Sequence, residues 1–190
     1  MEIVMDKEPK YERMPSSKML LYVAIGSIVM LFAGLTSAYI VRQAEGNWLK
    51  FDLPQQFWIS TGLILLSSIT MNWAMMAAKK NNSSTVTKAI LLTTLLGFGF
   101  MIAQILGWHN LYTQGIEFSG NPSASFLYVI TGFHIAHLMG GLIALMVVLY
   151  KSSQKIYHSG NLVGIQNCAI YWHFLDALWI YLFIFLILVR

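Results

Sequence analysis

Five long apolar stretches, separated by short polar segments, dominate the pattern of hydrophobic and polar residues along the chain. They cover residues 19–41, 57–78, 89–107, 125–150 and 169–189. Each is long enough to cross a hydrocarbon core about 30 Å thick as a helix that rises about 1.5 Å per residue. Apolar residues occupy every side of these predicted helices, and no stretch alternates as a membrane barrel strand does. The pattern therefore predicts an all-α, polytopic membrane protein with five transmembrane helices.

Charged residues are almost absent from these stretches. Of the 12 Lys and Arg and the 8 Asp and Glu in the chain, only Asp176 lies inside one. Charged residues make up 11% of the 190 residues, against about 25% in soluble domains, which excludes a water-soluble globule. The single cysteine, Cys168, excludes an internal disulfide. The net charge of +4 comes from loop lysines and gives no reason to expect a nucleic-acid partner.

The loop lysines and arginines also predict the orientation, because cytoplasmic loops are enriched in these residues. Nine of them lie in residues 1–18, 79–88 and 151–168, and three lie on the opposite side. We therefore expect the N-terminus in the cytoplasm and the C-terminus outside. Residues 1–18 lack the apolar core of a signal peptide. They are expected to form a cytoplasmic tail ahead of a single membrane domain, 19–190.

Three histidines and one aspartate lie at membrane depth, where an ionisable side chain costs at least about 2.5 kcal/mol. His134 and His137 are three residues apart, and His173 and Asp176 repeat that spacing, which places each pair on one helix face. The residues alone leave three hypotheses open: a haem or metal site, a proton relay, and a polar cluster that joins helices. Because Asp176 and His137 lie at similar depth, we expect Asp176 to hydrogen-bond a histidine or a backbone group. We expect His134 to bond across helices and to bind no metal.

Small, hydroxyl-bearing and aromatic residues indicate how the helices pack. Ser67, Ser68 and Thr70 predict a face for close helix packing in the second stretch. Tryptophans prefer the membrane interface. Four of them fall near predicted interfaces, namely Trp48, Trp58, Trp108 and Trp172. Trp73 and Trp179 are deeper and are expected to pack against helices or a partner.

Two motifs resemble those of subunit III of the haem–copper oxidases. Residues 131–137 read TGFHIAH, with Gly140 and Gly141 following, and resemble the family's TGFHGxHxxxG signature. Residues 171–176 read YWHFLD, with Trp179 following, and resemble its YWHFVDxxW signature. The resemblance extends from about residue 18 to the end of the chain. It fits the short, five-helix form of the bacterial subunits.

The resemblance implies a role in aerobic respiration, in a bacterial cytoplasmic (inner) membrane. Subunit III of an aa3-type cytochrome c oxidase carries no haem or copper, and haem a and copper belong to partner subunits. It packs on the catalytic subunit I in a complex that includes subunit II, and it supports stability and proton uptake. A larger respiratory supercomplex is compatible with this role. The resemblance favours a structural role for the polar cluster, whose members are His134, His137, His173 and Asp176.

The resemblance also implies bound phospholipid, in a groove between the first two helices and the last three. From charge and location, Lys155 and His158 are candidate contacts for a lipid headgroup. Two alternatives stay open. One is the equivalent subunit of a quinol oxidase or of a nitric-oxide-reductase-associated homologue, since another subunit recognises the electron donor. The other is a di-haem b membrane cytochrome that uses His134 or His137 together with His173.

Three positions depart from the family pattern, and each lacks a carboxylate that the family usually carries. Ile28 follows the serine that aligns with the family's serine in the first helix, where a membrane-buried Glu is usual. Gly107 precedes the tryptophan of the third helix, and Gln166 lies five residues before Tyr171. Any role in proton transfer assigned to those acids therefore does not carry over to this chain.

The substitution at Ile28 makes a prediction for carbodiimide labelling, because this reagent modifies protonated carboxyls in apolar surroundings. We expect no labelled peptide within 19–41, which contains no Asp or Glu. Asp176 is the one carboxyl at membrane depth and the one candidate for labelling. Peptide mass spectrometry of the treated chain checks this, and a label within 19–41 would contradict the reading of the first helix.

Overall fold

Five α-helices make up the computed structural model, which describes residues 16–154, 157 and 162–189. Helix α1 spans Ser16–Ala44, α2 spans Gln55–Lys79, α3 spans Ser83–Thr113, α4 spans Pro122–Ser153 and α5 spans Val163–Leu188. All five are long and apolar enough to cross a membrane, and the described residues contain no β-strand. The five-helix, all-α prediction is confirmed. Most of the expected tail, and the two candidate headgroup contacts Lys155 and His158, lie outside the described residues.

Helices α3 and α4 begin ahead of their apolar stretches, each at a capping asparagine. The third helix begins at Ser83, where the Asn82 side chain accepts a hydrogen bond from the Thr85 N–H at 3.2 Å. The fourth begins after Asn121, whose side chain accepts a hydrogen bond from the Ser123 N–H at 3.0 Å. Asparagine is a preferred residue at this position, since it satisfies an N–H that the helix leaves free. Hydropathy instead reports the part of each helix that suits hydrocarbon.

Four of the helices form a closed ring, and α1 lies outside it. In the described residues α2 contacts α3 and α5, while α4 contacts α3 and α5. The first helix contacts α4 and α5 but not α2. This differs from the expected groove between the first two helices and the last three, because α2 packs directly against α3 and α5. The helix that stands apart is α1 alone.

Glycines leave space for large side chains at the centre of the four-helix ring. Trp172 of α5 is fully buried, and a Cβ added at Gly97 of α3 would lie 2.7 Å from its ring. A Cβ added at Gly141 of α4 would lie 3.2 Å from the same indole. A Cβ at Gly107 would likewise lie 2.7 Å from the Phe57 ring of α2. The absence of side chains at these positions lets the helices approach closely, as small residues do in membrane bundles.

The first helix is held on the ring by a narrow face that is largely apolar. Ile28, Phe32 and Tyr39 are buried against α4 and α5, while most other side chains of α1 are exposed. Thr36 Oγ1 lies 3.1 Å from the hydroxyl of Tyr181, and the Gln43 amide donates to the Val189 carbonyl at 2.7 Å. The position of the missing family acid, Ile28, therefore faces an apolar environment.

The contact between Gly97 and Trp172 predicts the effect of a single methyl group. Gly97→Ala should lower stability by about 1–3 kcal/mol, because the buried indole must move out of the space that the new Cβ takes. Gly62→Ala is the matched control, since a Cβ there meets nothing within 4 Å. The thermal stability of both variants is measured by heating them in mild detergent and following the loss of the monodisperse gel-filtration peak. Equal heat sensitivity of the two alanine variants would contradict the packing described.

Candidate functional site

The fifth helix carries the acidic residue of the predicted polar cluster. Asp176 is 3% exposed and faces the bundle interior, as expected. Its Oδ2 lies 3.8 Å from His173 Nδ1, which is beyond hydrogen-bonding distance. His173 Nδ1 is instead 2.8 Å from Ser68 Oγ of α2. Among the described residues the Asp176 carboxylate has no hydrogen-bond partner, so the expected bond to a histidine or a backbone group is not formed.

The two histidines of the fourth helix have different surroundings. His134 is fully buried, with its ring centroid 5.8 Å from that of Phe100 and 5.1 Å from that of Trp179. Neither of its ring nitrogens has a hydrogen-bond partner among the described residues. The expected bond from His134 across helices is therefore wrong, because aromatic rings occupy the places where a polar partner would lie. His137 pairs within its own helix, with Nδ1 2.7 Å from the Phe133 carbonyl oxygen.

The structure thus divides the predicted cluster into three places, one of which is the aromatic surroundings of His134. His173 and Asp176 face α2 with Ser68, whereas His137 points toward α1, with its ring 5.8 Å from Phe32. Similar depth did not bring Asp176 and His137 together, because they lie on faces that point to different neighbours. No group of three or more His, Cys, Asp or Glu side chains in the described part of the chain is arranged to hold a metal ion.

A row of hydroxyls on α2 is the main polar feature of the interior. Trp172 Nε1 donates to Ser67 Oγ at 3.0 Å, and Trp179 Nε1 donates to Thr61 Oγ1 at 3.0 Å. Further along α2 the Gln104 amide donates to Ser60 Oγ at 2.8 Å. Thr70 and Thr93 share a hydrogen bond of 2.7 Å, and Ser68 meets His173 as described. These bonds connect α2 to both of its neighbours in the ring.

Sequence reasoning assigned Ser67, Ser68 and Thr70 of this row to close packing only, and it misplaced Trp172. Trp172 was expected near an interface but is fully buried inside the bundle. Trp73 is 46% exposed, which is compatible with the expected packing against a partner. The spacing of the two buried tryptophans along α5 could have indicated the hydrogen bonds to α2. Trp172 and Trp179 are seven residues apart, close to two helical turns, and so require acceptors at two levels of a neighbouring helix. The antiparallel α2 supplies them through Ser67 and Thr61.

The fold and the site define a multi-pass helical membrane protein whose interior polar groups join helices. Comparison with known proteins identifies the family: the model of the family "Cytochrome c oxidase subunit III" matches residues 50–189. These residues include both signature motifs. The chain belongs to the cytochrome c oxidase subunit III family.

The similarity to individual relatives extends over most of the chain. It is 31% identical over 184 residues to the probable cytochrome c oxidase subunit 3 of Nocardia farcinica, covering 88% of each chain. It is 30% identical over 176 residues to cytochrome c oxidase subunit 3 of Corynebacterium diphtheriae, covering 85% of each. The probable cytochrome c oxidase subunit 3 of Rickettsia felis is 36% identical over 137 residues, which are 71% of this chain and 47% of the relative. The family predicted from the two motifs is confirmed.

The surroundings of Asp176 predict different effects for two substitutions. Asp176→Asn keeps the shape of the side chain and a polar end facing His173, so this variant should assemble at a near-native level. Asp176→Leu presents only alkyl groups to His173 and should assemble about twofold less, since a polar pair three residues apart on one helix is worth about 0.2–0.5 kcal/mol. The yield of each variant in the detergent-purified oxidase complex measures this. Equal yields of the Asn and Leu variants would contradict a polar role for Asp176.

Proposed function

We propose that the chain is the non-redox subunit III of an aa3-type cytochrome c oxidase in aerobic respiratory electron transport. The observation that carries the proposal is the family match over residues 50–189, together with relatives of the same name that align over most of their length. In this proposal haem a and copper belong to the partner subunits. The chain itself supplies packing, stability and support for proton uptake by the catalytic subunit.

The interior of the bundle supports a structural role. The indole N–H groups of Trp172 and Trp179 and the amide N–H of Gln104 donate to α2 hydroxyls, and Thr70 bonds Thr93. His134 is fully buried, with the aromatic rings of Phe100 and Trp179 beside it, which supports a packing role. The names of the relatives favour an oxidase of cytochrome c over the quinol oxidase and the di-haem b alternatives.

The catalytic subunit I is the partner that we propose, in a complex that also holds subunit II. Trp179 cannot contribute to that interface, because it is fully buried inside this chain. Trp73 and Trp58 of α2 are 46% and 58% exposed and present large aromatic surface toward the membrane. Exposed aromatic residues are typical anchors of subunit interfaces, so the outer face of α2 is suited to receive a larger membrane subunit.

The location that we propose is the bacterial cytoplasmic (inner) membrane, with the N-terminus on the cytoplasmic side. Four described lysines support this orientation: Lys18 at the start of α1, Lys79 at the end of α2, Lys88 near the start of α3 and Lys151 near the end of α4. In an antiparallel bundle these helix ends share one side of the membrane. Positive residues near helix ends favour the cytoplasmic side.

Deletion of the chain tests the proposed role, because a subunit without redox ligands should not affect the metal centres. The purified oxidase should keep its haem a spectrum and its initial rate of oxygen reduction, while activity should decay faster during turnover. Absorbance spectra and an oxygen electrode measure these three quantities. Loss of the haem a signal with subunit I still present at its normal level would overturn the proposal, and re-expression of the wild-type chain is the control.

A further inference from the structure

A pocket of about 480 Å³ with aromatic walls lies between α3, α4 and the loop 114–121 that joins them, at the end of the bundle where α3 ends. Trp108 and Tyr112 of α3, Phe118 of the loop and Tyr128 of α4 line it. The ring centroid of Tyr128 lies 6.0 Å from that of Trp108 and 6.2 Å from that of Phe118. The other lining residues are Ile105, His109, Glu117 and Ser119.

The loop is held in place on both sides of Glu117. The Tyr128 hydroxyl donates a hydrogen bond to the Ile116 carbonyl at 3.0 Å, and the Ser125 hydroxyl donates to the Phe118 carbonyl. The backbone that carries Glu117 and Phe118 is therefore fixed against α4 in the free chain. A site that is already ordered loses less conformational entropy when a ligand binds.

The charge of the pocket defines the chemical class of its ligand. Glu117 is its one carboxylate, and no lysine or arginine is among the described residues that line it. Glu117 also forms no ion pair within the part of the chain that the structure describes. Aromatic rings alone are usual at a membrane interface, but here they converge with an unpaired carboxylate. Because the faces of aromatic rings are also partly negative, the combination suits an organic cation.

The same features favour an arginine side chain over a lipid headgroup. A guanidinium group is planar, so it stacks on aromatic rings and pairs with a carboxylate through two parallel hydrogen bonds. A zwitterionic headgroup such as phosphocholine also carries a phosphate, which Glu117 would repel and which no lysine or arginine of the lining would neutralise. Arginine and aromatic residues are enriched where proteins meet, so the arginine is expected to belong to a protein.

We propose that this pocket docks an arginine side chain of a protein segment outside the membrane, with the guanidinium group paired with Glu117 and stacked on the aromatic rings. The proposal goes beyond the proposed function, because the pocket lies between α3 and α4 and not on the outer face of α2, which we assign to subunit I. The side of the membrane follows from the proposed orientation, whereas the recognition of arginine does not depend on it.

Fluorine NMR of the full chain in mild detergent tests the site. The six tryptophans are replaced by 5-fluorotryptophan, and the Trp108 resonance is assigned by its loss in Trp108→Phe. The soluble probe N-acetylargininamide should shift this resonance in a saturable titration, whereas its neutral isostere N-acetylcitrullinamide should not. Glu117→Gln should weaken binding of the arginine probe about threefold or more, because the guanidinium group loses its ion pair. The matched control, Glu45→Gln, removes an exposed carboxylate at the same end of the bundle that does not line the pocket, and should leave binding unchanged.

A second variant, Tyr112→Leu, keeps the carboxylate and removes one aromatic face, so it should also weaken binding of the arginine probe. Gel filtration confirms that each variant is folded. Equal binding of the arginine and citrulline probes, or equal losses in Glu117→Gln and Glu45→Gln, would overturn the proposal. A saturable shift with phosphocholine and none with the arginine probe would overturn it in favour of a lipid headgroup.

Photo-crosslinking in intact cells tests the docking role, with p-benzoylphenylalanine in place of Phe118. The cross-linked product should contain a protein exposed outside the membrane, with an arginine in the attached peptide. Its yield should fall in Glu117→Gln and remain unchanged in Glu45→Gln. Cross-links to lipid alone, or a yield that Glu117→Gln does not lower, would contradict the docking of a protein at this pocket.

Discussion

An indole N–H buried in a membrane needs an acceptor, because no water is present to replace a missing one and an unsatisfied group costs several kcal/mol. Trp172 and Trp179 each impose this requirement on the bundle, and each is met by a hydroxyl of α2. The two bonds fix α5 relative to α2 in rotation and in height. Trp172 then requires space on its other sides, which Gly97 and Gly141 provide on α3 and α4. One side chain therefore contacts all the other helices of the ring.

The three departures from the family pattern each fit their surroundings. Ile28 is buried in an apolar cluster with Leu178 and Leu182. Neither leucine side chain could form a hydrogen bond with a carboxylate at this position. Gly107 receives the ring of Phe57 so closely that any larger residue would displace it. Gln166 lines a cavity beside Lys18 and Lys79, where it is polar but neutral. Packing therefore accounts for Ile28 and Gly107, which lie in the interior, whereas Gln166 lies at a cavity wall.

The sequence was sufficient for the number and nature of the helices, because a run of about 20 apolar residues has few alternatives in water or in lipid. It was also sufficient for the family, through motifs that include Trp172, His173 and Asp176. It could not show which helices meet, and so it used the similar depth of Asp176 and His137 to expect a bond from Asp176 to a histidine or a backbone group, which is not formed. The hydropathy pattern also did not locate the helix ends, because capping by Asn82 and Asn121 depends on local hydrogen bonds and not on hydropathy.

The placement of α1 has a consequence for how the chain is made. Membrane helices insert individually and then associate, and α1 is the first of the five to leave the ribosome. Among the described helices it contacts α4 and α5, which are synthesised last. The first helix must therefore remain in the bilayer with its buried face uncovered until the rest of the chain is complete. Of the five helices it is thus the first to be made and the last to be docked.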